Sequence, residues 1–280
     1  MTHQTHPFAL SDGSSLFGQS WTPSTEPKAV VLLVHGLGEH SDRYPHVAQQ
    51  MTDAGFKLMS YDLRYHGRSP GKRAYIERFD RLVADLEEIA QQVHLAHQDI
   101  PLFLYCQSLG GAVVSLFLIR NSTFPVKGAV LSSPALQVGA DISPFLVKLA
   151  KWINMLAPKL KVQALNVDNL SRNREVVEQY INDPLVYSGK NYARTGYESI
   201  RAIDEIQARM EEFQTPVLIL HGTEDGLTNP EGSKQLYARA GVEDKQLRLF
   251  EGWYHELHNE PDGASVIQEI ISWIEHRVDG

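Results

Sequence analysis

Six short apolar runs punctuate the chain, at residues 29–34, 56–61, 101–106, 128–133, 216–221 and 245–250, each bounded by turn residues. Runs of this length without polar alternation predict strands, most of them buried on both faces. Between the runs, apolar residues recur at helical spacing, most clearly Phe79, Leu82, Val83, Leu86, Ile89, Ala90 and Val93, which fall on one face. Strand and helix alternate, which predicts an α/β class with a mostly parallel, twisted sheet and helices on both sides. Ahead of the first run, residues 8–10 and 16–21 flank an Asp12-Gly13 turn and predict an antiparallel hairpin at the sheet edge.

The connections between the runs are unequal. Residues 134–215 form a link more than twice as long as any other, with a helical pattern of its own: Ser143 stands as an N-cap, Pro144 at the first helical position and Pro158 after the stop. The division this predicts is a core of residues 1–135 and 210–280 carrying a helical cap at 136–209. Open parallel sheets bind ligands beyond the carboxyl ends of their strands, so a cap inserted there covers a site.

A chain of 280 residues with 42% hydrophobic and 21% charged positions has ample core for one such domain and its insertion. Its net charge of −8 repels a phosphate backbone, so nucleic acid is not an expected partner. Cys106 is the single cysteine, which rules out an internal disulfide or a cysteine zinc cluster. With no basic, apolar leader at residues 1–10 and no apolar run long enough to span a bilayer, the expected setting is the cytoplasm.

The third run ends in Cys106-Gln107-Ser108-Leu109-Gly110-Gly111 and passes into a helical stretch. A serine at the apex of strand, sharp turn and helix is a nucleophile elbow, written Gly-x-Ser-x-Gly because its neighbours must be small; Cys106 stands at the leading glycine's place. Such a serine needs a histidine to take its proton and an acid to hold that histidine. In this architecture acid and base follow in that order, each just beyond a later strand. The fifth run leads to Glu224-Asp225 and the sixth to Gly252-Trp253-Tyr254-His255. Asp225 is preferred over Glu224 because it lies deeper in its turn, and His255 over His258 because Gly252 lets the loop fold back towards Ser108. His255 and His258 are three apart, not the four that would face one metal, so no metal and no cofactor are expected. Glycines in His35-Gly36-Leu37-Gly38 let the backbone approach a ligand, and the N–H groups of Leu37 and Leu109 are expected to form the oxyanion hole.

The segment His35-Gly36-Leu37-Gly38-Glu39-His40 resembles the opening motif of the monoacylglycerol lipase and lysophospholipase-like branch of the α/β-hydrolases. The loop from Asp62 to Gly71, Asp183-Pro184-Leu185, His221-Gly222-Thr223-Glu224-Asp225 and Tyr254-His255-Glu256-Leu257-His258-Asn259-Glu260 are similar to other motifs of that branch, so the resemblance covers nearly the whole chain. It implies the α/β-hydrolase fold, Ser108 as nucleophile, Asp225 as orienting acid, His255 as base, and Leu37 and Leu109 as oxyanion donors. It also implies Glu39, Arg43 and Gln107 around the glycerol end of a substrate, with Gln107 standing where the branch usually has histidine. The implied reaction is hydrolysis of a small acyl ester, a monoacylglycerol, through an acyl-enzyme. A general carboxylesterase or lysophospholipase is the near alternative. A non-catalytic ligand receptor on the same fold is the distant one, and it would leave a triad slot empty. The predicted cap helix over 144–160 is apolar on most sides, with Lys148, Lys151, Lys159 and Lys161 nearby. Leu146, Leu149, Trp152 and Ile153 are expected to line an acyl tunnel, and the same helix suits peripheral contact with an anionic membrane or lipid aggregate.

Overall fold

The computed structural model describes residues 1–138, 154–162 and 164–278. An antiparallel hairpin of β1 (Thr2–Ala9) and β2 (Ser15–Thr22) opens the chain. The six apolar runs follow, within one residue of their expected bounds, as β3 (Ala29–Val34), β4 (Phe56–Tyr61), β5 (Leu102–Gln107), β6 (Gly128–Ser132), β7 (Val217–Gly222) and β8 (Lys245–Phe250). They form one sheet in the order β1-β2-β4-β3-β5-β6-β7-β8, parallel from β4 onward, with β2 antiparallel to β4. β1 begins well before the expected hairpin because its side chains are mostly exposed and carry no hydrophobic signal. Pairing with β2 alone makes it a strand.

Seven helices are bounded among the described residues: α1 (Pro45–Asp53), α2 (Phe79–Ala96), α3 (Leu109–Arg120), α4 (Arg174–Asn182), α5 (Ala193–Arg209), α6 (Pro230–Arg239) and α7 (Gly263–Val278). Alternate residues of a strand face opposite sides, so Val30, Leu32 and Val34 pack with α2, α3 and α6 while Ala29, Val31 and Leu33 pack with α1 and α7. α3 is apolar all round, because the sheet covers one side and α2 and α5 cover the other.

The link from β6 to β7 carries a 3-10 turn (Val167–Asn169), α4 and α5. Of the helix expected over 144–160, residues 154–156 are helical; Ser143, Pro144, Leu146, Leu149, Trp152 and Ile153 lie outside the described residues. The link is bonded to the loops that follow β3 and β8. His40 Nε2 lies 2.8 Å from Asp183 Oδ2, the Tyr187 N–H donates to the Gly38 carbonyl at 2.7 Å, and the Glu256 N–H donates to the Leu170 carbonyl at 2.7 Å. Among the described residues no helix is long and apolar enough to cross a membrane.

Candidate active site

β5 runs directly into α3, and the turn between them holds Ser108 at φ 55°, ψ −117°, a strained conformation for a residue with a side chain. The Ser108 N–H donates to the Ser132 carbonyl of β6 at 3.0 Å. At Gly110 any Cβ would sit 2.2 Å from the Val34 carbonyl oxygen, so helix and strand approach this closely only on glycine. Cys106 is fully buried within β5, and burial pushes its thiol pKa well up, away from reactivity.

The loop after β7 carries Asp225. Its Oδ1 accepts the N–H groups of Leu227 at 2.8 Å and Thr228 at 3.0 Å, and its Oδ2 lies 2.7 Å from His255 Nδ1. The neighbouring Glu224 is exposed to solvent. His255 comes from the loop after β8, which turns through Gly252 at φ 73°. At Gly222 any Cβ would meet the carbonyl oxygens of Trp253 and Tyr254 at 2.3 and 2.4 Å, so the strand that leads to Asp225 and the loop that carries His255 also meet on glycine. His258 stacks on Tyr44 with ring centroids 4.9 Å apart, and neither ring nitrogen has a partner among the described residues. Burial lowers its pKa to about 3.

Ser108 and His255 line one cavity of about 140 Å³. Leu37, Leu109, Ala135, Leu165 and Leu227 supply apolar wall, and Glu39, Glu256 and Tyr180, grouped around Arg43, supply its polar part. The N–H groups of Leu37 and Leu109 make no hydrogen bond among the described residues, which leaves them able to meet an oxyanion.

The family model described as serine aminopeptidase, S33 matches residues 25–262. A monoacylglycerol lipase of Mycolicibacterium smegmatis is 36% identical over 275 residues, covering 98% of this chain and 97% of its own. The chain belongs to this family. Within it, the chain falls in the monoacylglycerol lipase branch of the α/β-hydrolases and is a carboxylic ester hydrolase. The monoglyceride lipase of Mus musculus is 32% identical over 271 residues, 96% of this chain and 89% of its own. The crystal structure of a Paleococcus ferrophilus monoacylglycerol lipase superimposes with a TM-score of 0.82 at 33% identity, covering 92% of this chain and 97% of the other.

Three residues expected around a substrate's head group are placed differently from one another in this hydrolase. Glu39 lines the cavity. Arg43 does not; it forks onto Glu256 at 2.6 and 2.7 Å, reaches Glu39 at 2.8 Å, and is covered by the Tyr180 ring of α4 at 4.7 Å. The guanidinium is spent on its own carboxylates, which are what the cavity meets. Gln107 is 1% exposed and also absent from the wall; its Nε2 donates to the His255 carbonyl at 3.1 Å. Its side chain reaches the backbone of the loop that carries His255 and takes no part in the cavity wall. Sequence reasoning missed Glu256, Tyr180 and Thr228. Glu256 offered one signal, a carboxylate next to the candidate base, whereas Tyr180 offered none because its partner is far off in sequence.

Burial favours a neutral Glu256, but the Arg43 fork outweighs it and holds the carboxyl at about 2. Glu39, with one contact to the same guanidinium, stays raised by burial. Burial likewise opposes a charged His255, yet Asp225, with Glu256 and Glu39 beyond it, raises that imidazole above its ordinary value of 6.5. A histidine base works only when neutral, so kcat/KM should rise with pH through one ionisation whose midpoint lies above the ordinary imidazole range. A profile from about pH 5 to 9 on a soluble ester checks this; a midpoint at or below the ordinary imidazole value of 6.5 would contradict it.

Proposed function

We propose that this protein is a monoacylglycerol lipase, with Ser108 as nucleophile, His255 as base, Asp225 as the acid that orients it, and residues 136–209 as a cap over the site. Ser108 Oγ attacks the ester carbonyl as His255 takes its proton, and the N–H groups of Leu37 and Leu109 hold the oxyanion. His255 then protonates the departing alcohol, and water attacks the acyl-enzyme with the same imidazole as base. The observation that carries the reading is a single cavity in which Ser108 and His255 face apolar wall on one part and carboxylates on another. One alkyl chain suits the first, since each buried methylene contributes about 0.8 kcal/mol. A small neutral polyol suits the second, where Glu39 and Glu256 accept hydrogen bonds from its hydroxyls and repel a phosphate head group.

The insertion also supports contact with lipid aggregates. Met155, Leu156, Leu160 and Val162 are exposed beside Lys159 and Lys161, a combination suited to an anionic lipid surface. Initial rates on monoolein and emulsified triolein test the substrate reading. Monoolein should be cleaved faster by roughly 10²-fold, because two extra chains would have to enter the polar part of the cavity. Equal rates would sink the single-chain site.

A further inference from the structure

Asp225 Oδ2 is shared by two histidines. His255 Nδ1 lies 2.7 Å from it and His221 Nε2 lies 3.1 Å from the same oxygen, with the Thr228 hydroxyl donating to it at 2.8 Å. His221 is fully buried near the carboxyl end of β7, and its other nitrogen, Nδ1, lies 2.7 Å from the Ser233 hydroxyl of α6. A carboxylate can only accept, so the Asp225 contact favours the tautomer with the proton on Nε2, a nitrogen that also lies 3.2 Å from the Thr228 hydroxyl, and Nδ1 then accepts from Ser233. A triad of serine, histidine and acid requires no second imidazole, and His221 is not part of the cavity wall.

We propose that His221, held by Ser233, is a positioning residue that fixes the Asp225 carboxylate and sets how strong a base His255 is. Each donor on Oδ2 draws off part of the negative charge that stabilises a protonated His255. Withdrawing the His221 N–H concentrates that charge on the remaining partners, so the His255 pKa rises and the enzyme needs a higher pH to work. The other charged and titratable groups around His255 stay in place: Glu39 and Arg43 after β3, Glu256 and His258 on its own loop, and Tyr180 from α4. This inference rests on His255 acting as the base, as proposed above.

The test uses three variants. His221→Phe keeps a ring but loses both ring nitrogens and their contacts with Asp225 and Ser233. Ser233→Ala is a smaller change that removes only the group holding the tautomer. His221→Gln retains a side-chain donor and an acceptor. The acid limb of kcat/KM on p-nitrophenyl butyrate should move to higher pH by about half a unit to one unit in the first two, with KM nearly unchanged, and return towards wild type in the third. Titration of the His255 ring by ¹⁵N NMR should show the same shift without reference to turnover. A uniform fall in rate at every pH, with the NMR midpoint unmoved, would reduce His221 to a structural role and overturn the proposal. If His221→Phe does not fold, Ser233→Ala decides alone, and an unshifted limb there also overturns it. Failure of the underlying reading would look different: the wild type itself would lack a limb that tracks the His255 titration.

Discussion

Ser108→Ala should lower kcat by ~10⁴-fold or more, His255→Ala should do the same, and the double variant should lose little beyond either single one. The expectation follows from the geometry. Ser108 and His255 share one cavity, and His255 is anchored at 2.7 Å on an Asp225 whose carboxylate has no solvent exposure. A hydroxyl without its base is a poor nucleophile, and a base without its hydroxyl has no proton to take, so removing either partner disables the same step. What survives is the rate supported by the oxyanion donors and by binding alone. Burst and steady-state kinetics on a p-nitrophenyl ester measure the effect. Losses that simply add would show that the two act in separate steps. Glu224→Gln serves as the control next to the acid, since Glu224 is exposed to solvent, and its rate should match wild type.

Arg43→Ala should unfold the protein more readily by about 3–5 kcal/mol, the usual cost of leaving a buried charge unpaired. Two carboxylates depend on this guanidinium, and their side chains are 4% and 3% exposed, so little water can take its place. In a chain of this size the loss corresponds to a fall in Tm of roughly 10 °C. Activity should fall as well, because Glu256 follows His255 directly and its fork with Arg43 ties the base's loop to the loop after β3. Arg43→Lys should rescue little, since an ammonium does not reproduce a planar fork. Thermal unfolding of both variants, with Glu256→Gln completing a double-mutant cycle, checks the argument. A change below about 1 kcal/mol would mean that solvent reaches the pair freely.

The strands were legible in the chain itself because burial on both faces demands short, unbroken apolar runs, and that demand is local. The candidate triad was legible for a related reason. An elbow serine, an acid after one strand and a histidine after the next are each placed by the turn that ends their own strand. β1 was not legible over most of its length, since an exposed edge strand needs backbone pairing and no hydrophobic face. Nor was the fate of Arg43, Gln107 and His221. Each is a polar side chain whose partner comes from a loop or strand brought alongside only when the sheet closes: Glu256 for Arg43, the His255 carbonyl for Gln107, Asp225 and Ser233 for His221. Hydrophobic periodicity states which face of an element is buried. It does not state which buried donor will find which acceptor, because that pairing is set by strand order, by the direction a side chain takes on its strand, and by the chain inserted between β6 and β7.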